Sequence, residues 1–225
     1  MVKRALVNIA YGASAIAELA LTRKNHQLYA KNCGAEYIEL VKDVQLAYGP
    51  AAKFKIVEIA KDFDQTLMID TDTVVFQPNI NIFDTCPVGW WGFVDELRYI
   101  QFPLEEFEQT LRHIADILLQ PHVVPKINVN SGVLLLPRDA SIYLPAEKPL
   151  PTTWCIEQIW LSYRLLSTNA NYVRLDPRFN WCKFFREFES GRKDAIILHW
   201  NDRTDRINML QKLMLELPKK LGGLK

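Results

Sequence analysis

The sequence has no C-x-x-C pair; its four cysteines, Cys33, Cys86, Cys155 and Cys182, stand far apart. That spacing suits neither a zinc knuckle nor a disulfide framework, and predicts buried free thiols in a reducing compartment. Long apolar runs are also missing. Lys3, Arg4 and Asn8 interrupt the start, so no secretory core follows Met1, and no stretch reaches the length of a bilayer span. A cytoplasmic location without an integral membrane segment is therefore expected. Charge of one sign is lacking too: 27 basic and 26 acidic residues leave +1. This excludes a global field for steering nucleic acid, so any anion must be met locally. Internal repeats and low-complexity segments are absent. The 49% hydrophobic and 24% charged fractions are those of an ordinary globular protein. A single domain over 1–217 is expected, then a tail or linker at 218–225 containing Gly222 and Gly223.

Hydropathy patterning divides the chain into alternating strands and helices. Residues 4–10 read as a strand, Tyr11 and Gly12 as a turn, 13–32 as a helix and 35–41 as a second strand. A helix carrying Lys53, Ile56, Val57 and Ala60 leads to a third strand ending at Ile69. Further strands are expected at 88–96, 133–136, 172–175 and 195–200, and further helices at 104–119, 154–166 and 205–217. Pro137, Pro145, Pro149 and Pro151 mark an irregular loop. The alternation predicts an α/β fold with a Rossmann-like, mostly parallel sheet and helices on both faces.

The stretch LMIDTDTVVF (67–76) changes polarity abruptly at Asp70, Thr71 and Asp72. Ligands of open α/β sheets bind beyond the carboxyl ends of strands, which is where this acidic pair falls. In an extended segment Asp70 and Asp72 would share one side and Thr71 would face away. Two such carboxylates repel unless a cation joins them, and Mg²⁺ and Mn²⁺ favour one or two carboxylates together with substrate phosphates. A metal–diphosphate site follows. His26, His113 and His122 have no partner cluster and are expected at the surface. Trp90 and Trp91 could stack on a sugar or fill core.

Taken in order, LMIDTDTVVF, INVNSGVLLL, IEQIWL, RFNW and IILHW resemble the motif succession of metal-dependent GT-A fold glycosyltransferases, closest to glycosyltransferase family 8, the glycogenin and lipopolysaccharide galactosyltransferase type. The resemblance spans roughly residues 50–200. It implies a hexosyltransferase with a UDP-sugar donor, a glycan or glycoprotein acceptor, and Mn²⁺ or Mg²⁺ held by Asp70, Asp72 and His199. The nucleotide half would run to about residue 76 and the acceptor half over 77–217. Donor contacts would come from Ala10, Tyr11 and Gly12 at the base, from Lys53 at the diphosphate, and from Asp70, Thr71, Asp72, Asn130, Ser131 and Gln158. Glu157 and Asp95, with neighbouring Glu96, are the candidate bases; Glu157 could equally hydrogen-bond the donor sugar. The resemblance implies retention of configuration, whereas a Glu157 base would suit inversion. The family's glycine and Pro-Trp after the strand-closing histidine are missing here, where His199 is followed by Trp200, Asn201 and Asp202. Two alternatives stand beside this reading. A sugar-phosphate nucleotidyltransferase would need a Gly-rich basic loop after the first strand, where only Tyr11 and Gly12 stand. A catalytically silent nucleotide-sugar-binding module would keep the site without the reaction.

Overall fold

The computed structural model describes residues 2–44, 49–100, 104–145, 155–202 and 204–220. Strand β1 (Arg4–Tyr11) sends Ala5 and Val7 into one apolar layer and Leu6 into the other, because successive strand side chains alternate in direction. Gly12, at φ 84°, turns the chain into α1 (Ala13–Asn32), a backbone conformation open to glycine. Next come β2 (Glu36–Lys42), a 3-10 segment (Gly49–Lys55) leading into the short α2 (Ile56–Ala60), and β3 (Gln65–Ile69). They are followed by β4 (Thr73–Val75), β5 (Trp91–Asp95), α3 (Leu104–Leu118), β6 (Val129–Pro137) and α4 (Ile156–Ser167). The chain closes with β7 (Tyr172–Arg174), β8 (Trp181–Cys182), α5 (Phe188–Gly191), β9 (Ile197–His199) and α6 (Arg206–Lys220). Helix α6 continues to Lys220, so the first three residues of the expected 218–225 tail are helical. Pro149, Pro151, Trp154, Gly222 and Gly223 lie outside the described residues.

Six strands form one sheet in the order β2-β1-β3-β6-β5-β7, so both halves of the chain contribute to it. Strand β6 alone runs antiparallel, to β3 on one side and β5 on the other. Its amino-terminal end therefore lies at the edge where the other strands end. Alternation builds two cores. Leu6, Leu67, Ile69, Val133 and Leu135 join Tyr29 of α1 and Leu210 and Leu213 of α6 on one face. Val7, Met68, Leu134 and Leu136 join Ile56 of α2, Phe107 of α3 and Trp160 of α4 on the other. Helices thus cover both faces, as the alternation of elements predicted. Cys33, Cys86 and Cys182 are buried free thiols and Cys155 is half-buried. Among the described residues no helix is long and apolar enough to cross a membrane.

A second sheet, β4-β9-β8, leans on the end of the first. Strand β4 pairs antiparallel with β9 so that Thr73 faces His199, and β8 runs parallel to β9. Among the described residues, no strand lies beside the other edge of β4. Instead the buried Asn25 side chain acts as one: its Oδ1 accepts from Val75 N at 2.7 Å and its Nδ2 donates to the Val75 carbonyl at 2.9 Å. Close by, His26 corrects an expectation. It is fully buried, not at the surface, between Asn8 Oδ1 (3.1 Å) and the Thr73 carbonyl (3.0 Å), whereas His113 and His122 are exposed. The helical pattern of α1 could not reveal that its inner face carries polar groups for β4. Replacing Asn25 with Ala should leave two buried backbone groups of Val75 unpaired and cost about 2–4 kcal/mol, measured as a drop in the urea midpoint at unchanged slope.

Candidate functional site

Strand β3 ends at Ile69, and the chain turns at once. The Thr73 N–H donates to the Asp70 carbonyl at 3.3 Å and the Thr73 hydroxyl to the same oxygen at 2.8 Å. Asp70 and Asp72 therefore converge through a turn, not along an extended segment as the sequence suggested. Thr71 does face away: its hydroxyl donates to Glu18 Oε2 at 2.6 Å beneath α1, so among the expected donor contacts its side chain is already engaged. The register of β4 on β9 brings His199 across, and Trp200 N donates to the Asp72 carbonyl at 2.9 Å. His199 Nε2 then lies 3.2 Å from Asp72 Oδ1 and 3.9 Å from Asp70 Oδ2. One ligand atom from each of the three residues falls within 4.8 Å of the others. Two hard oxygens and an imidazole nitrogen suit Mn²⁺, and also Mg²⁺ with phosphate and water.

The other imidazole nitrogen supports that fit. His199 Nδ1 lies 3.0 Å from Asn180 Oδ1; Asn180 Nδ2 donates to Asn130 Oδ1 at 2.7 Å; Asn130 Nδ2 donates to Glu96. Each amide uses its NH₂ toward the next acceptor, so Asn180 Oδ1 is left to receive the Nδ1 proton. With a cation in place, that would leave the Nε2 lone pair free to ligate it, as a metal-bound histidine requires. Gly132 allows the approach. Its N–H donates to Asn130 Oδ1 at 2.8 Å, and a Cβ there would collide with His199 Cε1 and Nδ1. A pairing irregularity between Phe93 and Val94 of β5 lets β6 form this bend at Asn130, Ser131 and Gly132.

Cations surround the acids. Lys53 Nζ lies 2.8 Å from Asp70 Oδ2, 2.9 Å from Ser131 Oγ and 3.9 Å from Glu157 Oε1. Arg206 Nη1 lies 3.2 Å from Asp72 Oδ2. Burial works against ionising Asp72, yet His199, Arg206 and Lys53 together hold its carboxyl below the usual range. Burial works against a charged His199 too, yet Asp72 and Asp70 together raise its imidazole above the usual range. Behind them, Glu157 accepts from Ser131 Oγ at 3.1 Å, and Gln158 Oε1 accepts from Ser131 N at 3.0 Å. Both belong to the first turn of α4, at the edge where β3 ends.

Tyr11 and Gly12 end β1 at that same edge. The Tyr11 ring is half-buried with the Lys42 ammonium 6.0 Å from its centroid, and Ala10 is fully buried. Asp95 is placed differently from its expected role as a base. Its carboxylate accepts from Leu97 N (3.3 Å), Asn128 N (3.0 Å) and Arg174 Nε (3.0 Å), which ties β5 to β6 and β7. Its neighbour Glu96 is the one that joins the site, taking donors from Asn128, Asn130 and Gln158. Burial pushes the Glu96 carboxyl up to about 7 despite those donors. Trp91 starts β5 at the opposite edge, packed edge-on against Tyr143, so it offers no platform at this site. Sequence reasoning assigned no role to Asn180, Glu18 or Arg206. Only Asn180 left a signal, as the asparagine of RFNW.

A mostly parallel sheet with a lone reversed strand, and an acidic pair meeting a histidine at its carboxyl edge, are the arrangement of the GT-A fold. No family model and no curated protein sequence matches the chain. Solved structures do. A glycosyltransferase involved in the glycosylation of the major capsid of PBCV-1 superposes with a TM-score of 0.65 at 16% identity, covering 93% of this chain and 99% of that one. The galactosyltransferase LgtC, in complex with donor and acceptor sugar analogs, gives 0.59 at 13% identity over 94% and 95%. A Drosophila β-1,4-galactosyltransferase 7 mutant in complex with manganese, UDP-Gal and xylobiose gives 0.51 at 14% identity over 91% and 74%. At these identities the likeness is one of fold.

Two outcomes test this geometry. Gly132→Ala should keep the fold but displace His199, weakening Mn²⁺ binding about tenfold or more in a calorimetric titration. For Glu96, the folded state keeps a proton between pH 4.5 and about 7 that the unfolded state has lost. Its contribution is thus present at low pH and disappears as pH rises through 7, a swing of about 3 kcal/mol. Denaturation curves of Glu96→Gln should lack that swing relative to the parent.

Proposed function

We propose that this chain is a divalent-cation-dependent glycosyltransferase of the hexosyl type, moving a sugar from a UDP-sugar to a hydroxyl of a glycan or protein-linked glycan. The observation that carries the reading is the convergence of Asp70, Asp72 and His199 at the carboxyl edge of a GT-A sheet. These three residues would hold Mn²⁺ or Mg²⁺; the manganese and UDP-Gal bound to the Drosophila neighbour support that choice. A cation there stabilises the charge that develops on a departing diphosphate without needing a proton.

The chain's own groups do the rest. Lys53, already beside Asp70, is a compact point charge within reach of a phosphate oxygen. The half-buried Tyr11 ring offers a face to uracil, and Gly12 lets a ligand come close to the backbone. Ser131 and Gln158, hydrogen-bonded to each other, and Asn130, held by Gly132 N, Asn180 and Glu96, would orient the donor sugar. Glu157 is the carboxylate placed to accept an acceptor proton or to hold the donor sugar. The nucleotide half would run to about residue 76, and the acceptor would meet the half that follows. A panel of UDP-sugars should include a donor from which UDP is released only when Mn²⁺ is present. Asp72→Ala should lower that release about a thousandfold, the several kcal/mol expected of a catalytic cation. Equal release by the variant, or none from any donor, would sink the proposal, and Mn²⁺–UDP binding without release would mark a silent binding module.

A further inference from the structure

We infer that Arg206 is a positioning residue for the cation site: it bridges Asp72 and Glu18, and so holds Asp72 with its remaining oxygen turned toward His199. The inference rests on the metal reading above and extends it to the first residue of α6. Asp72 divides its two oxygens, Oδ2 at 3.2 Å from Arg206 Nη1 and Oδ1 at 3.2 Å from His199 Nε2. The same Nη1 lies 3.0 Å from Glu18 Oε1. Glu18 is itself held, by the Ser14 hydroxyl at 3.1 Å and by the Thr71 hydroxyl at 2.6 Å. The guanidinium is gripped from behind as well: Nε donates to the Asp202 carbonyl at 3.2 Å and Nη2 to the Asn201 carbonyl at 3.4 Å. Four segments meet at this one group: α1, the Asp70–Asp72 turn, the loop after β9, and α6.

Two local features oppose an arginine at this place unless the bridge outweighs them. Arg206 opens a 15-residue helix, where the helix dipole disfavours a cation. Asp205 before it sits at φ 58°, a left-handed conformation that is costly without glycine. Both are offset by what the bridge prevents. Glu18 and Asp72 are only 3% and 5% exposed, and two buried carboxylates repel strongly at low dielectric. Without a cation between them Asp72 would swing away from Glu18, and its Oδ1 would leave the position that faces His199. Nη1 touches both acids while Nε and Nη2 are anchored on backbone carbonyls, an arrangement that an ammonium, a single point, lacks the further nitrogens to hold.

The test is Mn²⁺ affinity without nucleotide, read from the free Mn²⁺ signal in electron paramagnetic resonance, with melting curves recorded in parallel. Arg206→Gln should bind Mn²⁺ about 10–100-fold more weakly than the parent. The double variant Arg206→Gln with Glu18→Gln, in which the repelling charge is gone as well, should recover most of that loss. Should Arg206→Gln fail to fold, Arg206→Lys keeps the charge without the two carbonyl anchors that aim Nη1 and should still bind about tenfold more weakly. Parental affinity in the single variant, or no recovery in the double, overturns the inference while leaving the metal site intact. Lower melting temperatures with parental Mn²⁺ affinity would overturn it too, because Arg206 would then only fasten α6. A parent that binds no Mn²⁺ would remove the metal site itself, and this role of Arg206 with it.

Discussion

Two carboxylates forced together at the end of a buried strand set the terms for everything around them. Asp70 and Asp72 lie on consecutive sides of one tight turn, and Asp72 is almost wholly removed from water. Like charges in that setting repel by several kcal/mol unless compensated. The chain brings compensation from three directions: Lys53 from the 3-10 segment before α2, His199 from β9, and Arg206 from α6. Lys53 is far along the chain from the other two, while His199 and Arg206 flank one short loop. The pair can exist only because the fold closes around it, and a divalent cation would enter a place already arranged for positive charge.

The reversed strand β6 is the second requirement. Were it parallel to its neighbours, its amino-terminal end would lie at the far edge of the sheet. Running the other way, it delivers Asn130, Ser131 and Gly132 beside Asp70 and His199, and its apolar remainder stays in both cores. The amide chain from His199 through Asn180 and Asn130 to Glu96 depends on this reversal. So does the absence of a side chain at Gly132, since the imidazole occupies the space a Cβ would need. The small sheet serves the same end. Its register, with Thr73 opposite His199, places the histidine beside the acidic turn, and Asn25 secures its outer edge.

Much of this was legible wherever the signal is local. Period-2 and helical patterns marked β1, α1, β3, α3 and α6 within a few residues, because burial of one face imposes those periods. The polarity switch after Ile69 marked the acidic pair for a similar reason. The errors are also physical. Asp95 and Glu96 are neighbours of the same charge at a strand end, and which one enters the site depends on backbone donors from β6 and an arginine from β7. His26 looked solvated on a helix of weak amphipathicity, yet it faces the carbonyl of Thr73. Trp90 and Trp91 could have stacked on a sugar or filled core, and the direction of β5, which puts them at the opposite edge, decides against the platform.

By itself, then, the sequence determined the alternation of elements, the two-faced sheet, and the acidic turn that ends β3, since each follows from interactions between near neighbours along the chain. Tertiary structure alone decided which groups complete the site. Glu18 and Arg206 are 188 residues apart and share one hydrogen bond; Asn180 and Asn130 are 50 apart and share another. Contacts of that span leave no periodic trace, because the partner of a buried charge is chosen by sheet order and register, and those are settled only when the cores on both faces have closed.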